Sequence, residues 1–322
     1  MDNLNQSDEA KRIREEAAAK IELSEDLTNR DLGRKKHRCK VCGCEGMYKT
    51  FLAREMMQKK KDEFEYFECE ECGCLQIAEI PDNLGDYYGE GYYSFSLPED
   101  PNRQYSSSAV NFDKILDVGC GSGVWLVKLA ELGYANLFGC DPFLNKDLRQ
   151  GDRVYIRKCT IHEVEGDGTF KMVHMGDSFE HMTDPLEALQ SAERLISDNG
   201  CIVMDIPTYP NIAFDMFQTH WYQLDAPRHI FLHSRKSIEY LADKAGLKVA
   251  KFKYNSNNSQ IIKSFFYKNG VSFFEITPEL IGRYFTVEDI ESINANCEEC
   301  NRNGYGDHME VLLVKKKVIP EN

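Results

Sequence analysis

The chain has 322 residues, 42% hydrophobic and 11% aromatic, enough for one large domain and a smaller module, which excludes a disordered polypeptide. A net charge of −14 gives little counterion release on phosphate and disfavours a general nucleic-acid binder. No opening apolar segment reads as a signal peptide and no run of ~18 apolar residues as a membrane span, so a cytoplasmic protein is expected, and its twelve cysteines are not a disulfide framework.

Residues 1–36 are rich in Glu, Lys, Arg and Ala, with Arg12, Glu15, Glu16 and Lys20 at helical spacing, and predict a solvated helix. Residues 37–80 differ. Cys39-Lys-Val-Cys42 and Cys69-Glu-Glu-Cys72 are two C-x-x-C knuckles separated by 26 residues, each followed by glycine. Four such thiolates suit a tetrahedral zinc ion with no position left for water, so a structural, zinc-ribbon-like module is expected. Cys44 and Cys74 follow at matching positions and read as small buried side chains or free thiols. Residues 81–110 form a linker with a Tyr/Gly-rich stretch, Tyr87 to Tyr93, and a polar loop.

From Lys114 short apolar runs alternate with amphipathic stretches, the pattern of βαβ units. Strands are predicted at Lys114–Val118, Leu137–Cys140, Arg153–Arg157, Lys171–Met175 and Cys201–Ile206. Helices are predicted at Val124–Leu132, Pro185–Ser197 and Lys236–Ala245, the last stopped by Gly246. Leu247–Lys253 and Glu310–Lys315 read as two late strands. They flank an insertion, about 255–307, expected to hold helices and cap the site. Its Cys297-Glu-Glu-Cys300 pair has no partner nearby in sequence and reads as incidental.

The segment Asp117-Val-Gly119-Cys120-Gly121-Ser122-Gly123 joins the first of these strands to a helix. Such glycines permit a tight turn and close backbone approach to a ligand, and the helix N-terminus offers free N–H groups. Asp141 ends the next strand, where a carboxylate can accept both hydroxyls of an adenosine ribose. A dinucleotide site would carry a third glycine where this chain has Val124.

The alternating glycines preceded by Asp117 resemble motif I of the class I S-adenosylmethionine (SAM)-dependent methyltransferases. The run Asp177-Ser178-Phe-Glu-His181-Met-Thr-Asp-Pro185 resembles that family's segment after its fourth strand, and the late strands resemble its terminal hairpin. The resemblance spans about residues 114–317. It implies a Rossmann-like α/β fold with a seven-stranded sheet over 111–322, and SAM as cofactor. Gly119, Cys120, Gly121, Ser122 and Gly123 would then border the methionine part, with Asp117 near its amino group. Asp141 and Pro142 would take the ribose, Thr160 the adenine, and Asp177 and Ser178 the wall after strand four. The chain departs from the family in offering Cys159-Thr160-Ile161 where an acid often meets the adenine, and Lys171 where an aspartate is common.

On the substrate side, His220-Trp221-Tyr222 through Asp225-Ala-Pro227-Arg228-His229 follows the fifth strand. It resembles the Trp-x3-Asp-x-Pro-x-His segment of a methyltransferase group found near surface-polysaccharide and specialised-pathway enzymes. The implied reaction is methyl transfer to a small molecule or glycan intermediate, at a hydroxyl. Removing the hydroxyl proton calls for a base near neutral pKa. His229 is the first candidate, then His220 and His181. Arg228 could hold an anionic group or form a salt bridge, and Trp221 and Tyr222 could stack on the acceptor or pack internally. Two rival readings remain: an NAD(P)-linked oxidoreductase, and an adaptor or RNA methyltransferase using Lys59 to Lys61 as a basic patch.

Overall fold

The computed structural model of the chain describes residues 30–88 and 93–316. The helix expected over 1–36 lies outside the described residues as far as position 29. From there the expectation is corrected, because β1 (Arg30–Arg38) is a strand. It pairs antiparallel with β2 (Glu45–Arg54) through a bulge at 31–34, where Gly33 takes φ +72°. Its charges suit an exposed edge strand, with Arg34 paired to Glu70 and Lys35 to Glu65.

β3 (Glu63–Glu68) and β4 (Leu75–Ile77) complete a meander, and the two knuckles sit at its turns. A fifth strand, β11 (Phe231–Leu232), arrives from far along the chain and pairs antiparallel with β4. The boundary drawn at residue 80 is therefore crossed by a sheet. It is also crossed by one apolar core, in which Phe51, Phe67 and Ile77 pack with Ile206, Phe214 and Trp221.

The second sheet contains β5 (Asn111–Val118), β6 (Tyr134–Cys140), β7 (Leu148–Gln150), β8 (Val154–Arg157), β9 (Phe170–Gly176), β10 (Ile196–Pro207), β12 (Leu247–Tyr254) and β13 (His308–Lys315). Its order is β12-β13-β10-β9-β5-β6-β8-β7. β8, β6, β5, β9 and β10 run parallel, while β13 is antiparallel to both β10 and β12. The seven expected strands are all present. The eighth, β7, is a three-residue antiparallel edge, too short and polar to show in the apolar pattern. Central strands such as β5 are apolar on consecutive residues (Ile115, Leu116 and Val118 buried) because helices cover both faces of a parallel sheet.

α1 (Val124–Glu131) packs on β6 and β8, α2 (Pro185–Leu195) on β9 and β10, and α4 (Arg235–Lys244) on β12 and α2. Between the last two lies α3 (Ile212–Phe217). The insertion does hold helices: α5 (Asn258–Lys268), α6 (Pro278–Tyr284) and α7 (Val287–Arg302). They bury their own cluster of Ile262, Phe266, Ile293 and Cys297, so Cys297 is a packing residue, with Cys300 half-buried one turn on. α5 packs against α3 and the 218–224 turns.

Candidate active site

Gly119, Gly121 and Gly123 all take positive φ, at +72°, +53° and +86°. This brings the loop after β5 back under the end of β6, where the Gly121 N–H donates to Asp141 Oδ2 at 2.9 Å. Asp141 Oδ1 accepts from the Phe143 N–H at 2.9 Å, so each oxygen keeps a lone pair for a further donor. Burial pushes the Asp141 pKa up against these bonds. A buried carboxylate with spare acceptor capacity suits a pair of ribose hydroxyls.

Two cavities meet at Gly119, Asp177 and Ser94. The first, about 270 Å³, is walled by Asp141, Pro142, Phe143, Thr160 and Ile161 on one side and by Ser178, His181 and Met182 on the other. The second, about 750 Å³, is bordered by Asp117, Cys120, Trp125, His174, Asp205 and His308. Asp117 is buried and bonded to His174 Nδ1 at 2.8 Å, and the His174 ring stacks on Trp125 at 3.9 Å. Burial raises the Asp117 pKa and the histidine opposes it.

Of the residues expected to border a cofactor, Asp117, Gly119, Cys120, Asp141, Pro142, Thr160, Asp177 and Ser178 line these cavities. Gly121, Ser122 and Gly123 instead shape the loop. The Ser122 N–H and hydroxyl both donate to the Ser94 carbonyl, and its Oγ accepts from the Leu97 N–H. The Thr160 hydroxyl donates to Glu163 Oε2 at 2.8 Å, so it can offer an adenine only a lone pair. The linker takes part as well: Leu84, Tyr88, Ser94 and Phe95 line the first cavity, with Tyr88 stacked on Phe143. No residue of 255–307 lines either one, so the cap expected of that insertion lies instead over the 218–224 turns.

The substrate-side residues need several corrections. Trp221 is 1% exposed, with Nε1 donating to Asp307 at 2.9 Å, and is a core residue. Tyr222 stacks on Phe273 under the Lys263 ammonium and lines neither cavity. Arg228 is wholly buried and holds Asp225 through Nε and Nη2 (2.8 and 2.6 Å) and Glu55 through Nη2 (2.9 Å). Its charge is spent in an internal ion pair, not at a rim, and it cannot take an anionic substrate. His220 is buried in a turn away from both cavities, and His229 is buried behind the wall. Of the three candidate bases only His181 lines either of these two cavities.

Sequence reasoning passed over Glu180, although it stands beside His181 in the segment already singled out. It is wholly buried at the meeting point of His181 and His229. Also missed were His174 with Trp125, and His308, which lies on the last strand, 131 residues from its partner Asp177 (Nε2 to Oδ1, 3.0 Å). Burial works against a charge on His308, but Asp177, together with Asp307 and Asp205, outweighs it and raises its pKa.

The four knuckle cysteines converge at the other end of the first core. Cys39 and Cys72 Sγ are 3.6 Å apart, Cys42 and Cys69 Sγ 3.7 Å, and all four lie within 4.8 Å of one another. Zn–S bonds of ~2.3 Å in a tetrahedron put sulfurs ~3.8 Å apart, so the cage fits zinc. The Cys42 N–H and Gln76 Nε2 both point at Cys39 Sγ, as donors to a thiolate do. Cys74 is buried and Cys44 half-buried beside this set, outside it.

A family profile described as a methyltransferase domain matches residues 88–251. The chain is 34% identical over 98 residues to the ubiquinone biosynthesis O-methyltransferase of Colwellia psychrerythraea, covering 28% of this chain and 39% of that protein. It is 31% identical over 100 residues to the Pseudomonas aeruginosa protein of the same name, covering 28% and 43%. The matched region thus spans about two fifths of the length of these curated relatives. Among solved structures, geranyl diphosphate C-methyltransferase from Streptomyces coelicolor aligns with a TM-score of 0.42 at 14% identity, covering 65% of this chain and 75% of that one.

Proposed function

Because this chain belongs to the methyltransferase-domain family, we propose that it binds SAM and methylates a hydroxyl group of a small molecule or glycan intermediate. The observation that carries this reading is the pair of neighbouring cavities that share Ser94, Gly119 and Asp177, with Asp141 and His181 both lining the first. The hydroxyl target is supported by the name of the curated relatives, which are O-methyltransferases. The family match displaces the NAD(P)-linked alternative.

Bound SAM supplies an electrophilic methyl group on a sulfonium. Everything else is done by side chains of this protein. Asp141 accepts from the ribose hydroxyls, and Phe143, Ile161 and Met182 offer apolar surface to the adenine. Asp117, oriented by His174, attracts the amino group. Gly119 lets Ser178 pack directly on the loop, since a Cβ there would meet Ser178 Cβ at 2.6 Å. The acceptor approaches along the wall of Tyr88, Asp177 and His181, and the Glu180–His181–His229 cluster beside it favours loss of its hydroxyl proton. Holding both reactants in line removes much of the entropic part of the barrier.

Zinc in the four-cysteine cage is part of this reading as a structural ion, and a reducing, cytoplasmic setting suits its thiolates. No described helix is long and apolar enough to cross a membrane. The basic patch behind the RNA and adaptor alternatives is partly neutralised: Lys59 pairs with Glu275, and Lys60 Nζ donates to the Asp86 carbonyl.

The test is transfer of radiolabel from SAM to a small-molecule extract. Label should enter an alkali-stable ether product, and Glu180→Gln should slow it about 100-fold or more. Label appearing only in RNA, or nowhere, contradicts the proposal.

A further inference from the structure

Three possible ligand atoms converge beside the first cavity, on Glu180, His181 and His229. His229 Nδ1 lies 2.6 Å from the Gln223 carbonyl and His181 Nδ1 lies 2.8 Å from the Arg228 carbonyl. A carbonyl can only accept, so each Nδ1 carries the hydrogen, and each neutral ring presents the lone pair of Nε2. Both Nε2 atoms face Glu180 Oε1, at 3.9 Å from His181 and 3.8 Å from His229. Glu180 is 0% exposed, and neither of its carboxyl oxygens has a hydrogen-bond partner.

The local charge is out of balance in the same direction. Glu180 lies within electrostatic range of Asp177 and Asp225. The nearby guanidinium, Arg228, is already shared between Asp225 and Glu55. A buried carboxyl group without a hydrogen-bond partner faces two imidazole lone pairs, an arrangement that a cation would satisfy.

We propose that Glu180, His181 and His229 bind a divalent first-row transition-metal ion. Two imidazoles and a carboxylate are a usual donor set for such ions and leave coordination positions open. Backbone carbonyls on both Nδ1–H groups are the supports that metal-bound histidines normally have. The three ligand atoms lie within 4.8 Å of one another. Bonds of ~2.0–2.2 Å put ligand atoms ~3.3 Å apart, so small side-chain rotations close the site. The open side is the cavity wall formed by His181 and Asp177.

The site stands on this geometry alone; its use rests on the proposed function. There the ion holds the acceptor hydroxyl and favours loss of its proton to solvent. The oxygen then takes the methyl carbon, the C–S electron pair stays on sulfur, and the products are an ether, S-adenosylhomocysteine and one proton.

The experiment is titration of the metal-free, reduced full chain with Co²⁺, followed by absorbance and elemental analysis. The first equivalent should give intense thiolate charge-transfer bands from the four-cysteine cage. A second should add only weak d–d bands and survive gel filtration. Glu180→Gln and His229→Asn should each weaken the second equivalent ~100-fold or more. They should keep the first, whose bands show that the variants are folded, and keep S-adenosylhomocysteine affinity within about twofold. One equivalent in the wild type, or a second that both variants retain, overturns the site and leaves the methyltransferase reading intact. A second equivalent lost in both variants, without methyl transfer by the wild type, supports the site while contradicting the function.

Discussion

Gly121 has no room for a methyl group. A Cβ there would lie 2.2 Å from the Ser94 carbonyl oxygen, and its φ of +53° already disfavours other residues. Gly121→Ala should push the linker off the loop and weaken S-adenosylhomocysteine binding at least ~10-fold, with a small loss in Tm; isothermal calorimetry and a thermal melt read both. Unchanged affinity would mean that the Ser94 contact does not shape the site. Trp221 shows the opposite kind of residue. Its neighbourhood in sequence left substrate stacking and internal packing open, and its Nε1 bond to Asp307 fixes it in the core. Trp221→Phe leaves the Asp307 carboxylate short of a donor and should cost about 1–3 kcal/mol of stability with little change in KM, measured by denaturant unfolding and steady-state kinetics.

Between elements, the polar contacts concentrate where the cysteine-bearing sheet meets the segment 225–234. Tyr66 donates to the His229 carbonyl at 2.8 Å, the Ile77 N–H to the Ile230 carbonyl at 3.0 Å, and Ser234 to the Cys72 carbonyl at 2.5 Å. Glu55 and Arg228 bridge the same boundary with neither side chain exposed. Glu55→Ala removes one of the two carboxylates that hold the buried guanidinium, leaves Asp225 in place, and should destabilise the protein by about 1.5–3 kcal/mol, read by denaturant unfolding. Chelating the proposed zinc should lower Tm in one cooperative step, because both sheets share one core; two separate melting steps would contradict this. The parallel strands, their helices and the hairpin were legible because each is at least four residues long and patterned by burial. β1 was not, because its charged side chains are set by an edge position and not by a core. β11 is two residues long and exists only because β4 lies alongside, a pairing that no local pattern encodes. The glycine loop and Asp141 could be read from short-range spacing. The Asp177–His308 pair and the Glu180–His229 approach depend on residues brought together from distant parts of the chain.

At the scale of the whole molecule, residues 225–234 connect three zones: the cysteine cage through Ser234 and Cys72, the buried Arg228–Glu55 ion pair, and the first cavity through the His229 ring against His181. The cage is distant from the cavities in chemistry but not in mechanics, since the segment it supports carries His229. Binding of S-adenosylhomocysteine tests this account most directly, because the family, the loop and Asp141 all bear on it. Calorimetry on the full chain should show one site for S-adenosylhomocysteine and no heat with NADP⁺. Asp141→Ala removes a charged acceptor and should weaken binding about 10–100-fold while Tm stays within a few degrees. Binding of NADP⁺, or no S-adenosylhomocysteine binding by folded, zinc-loaded protein, would contradict it.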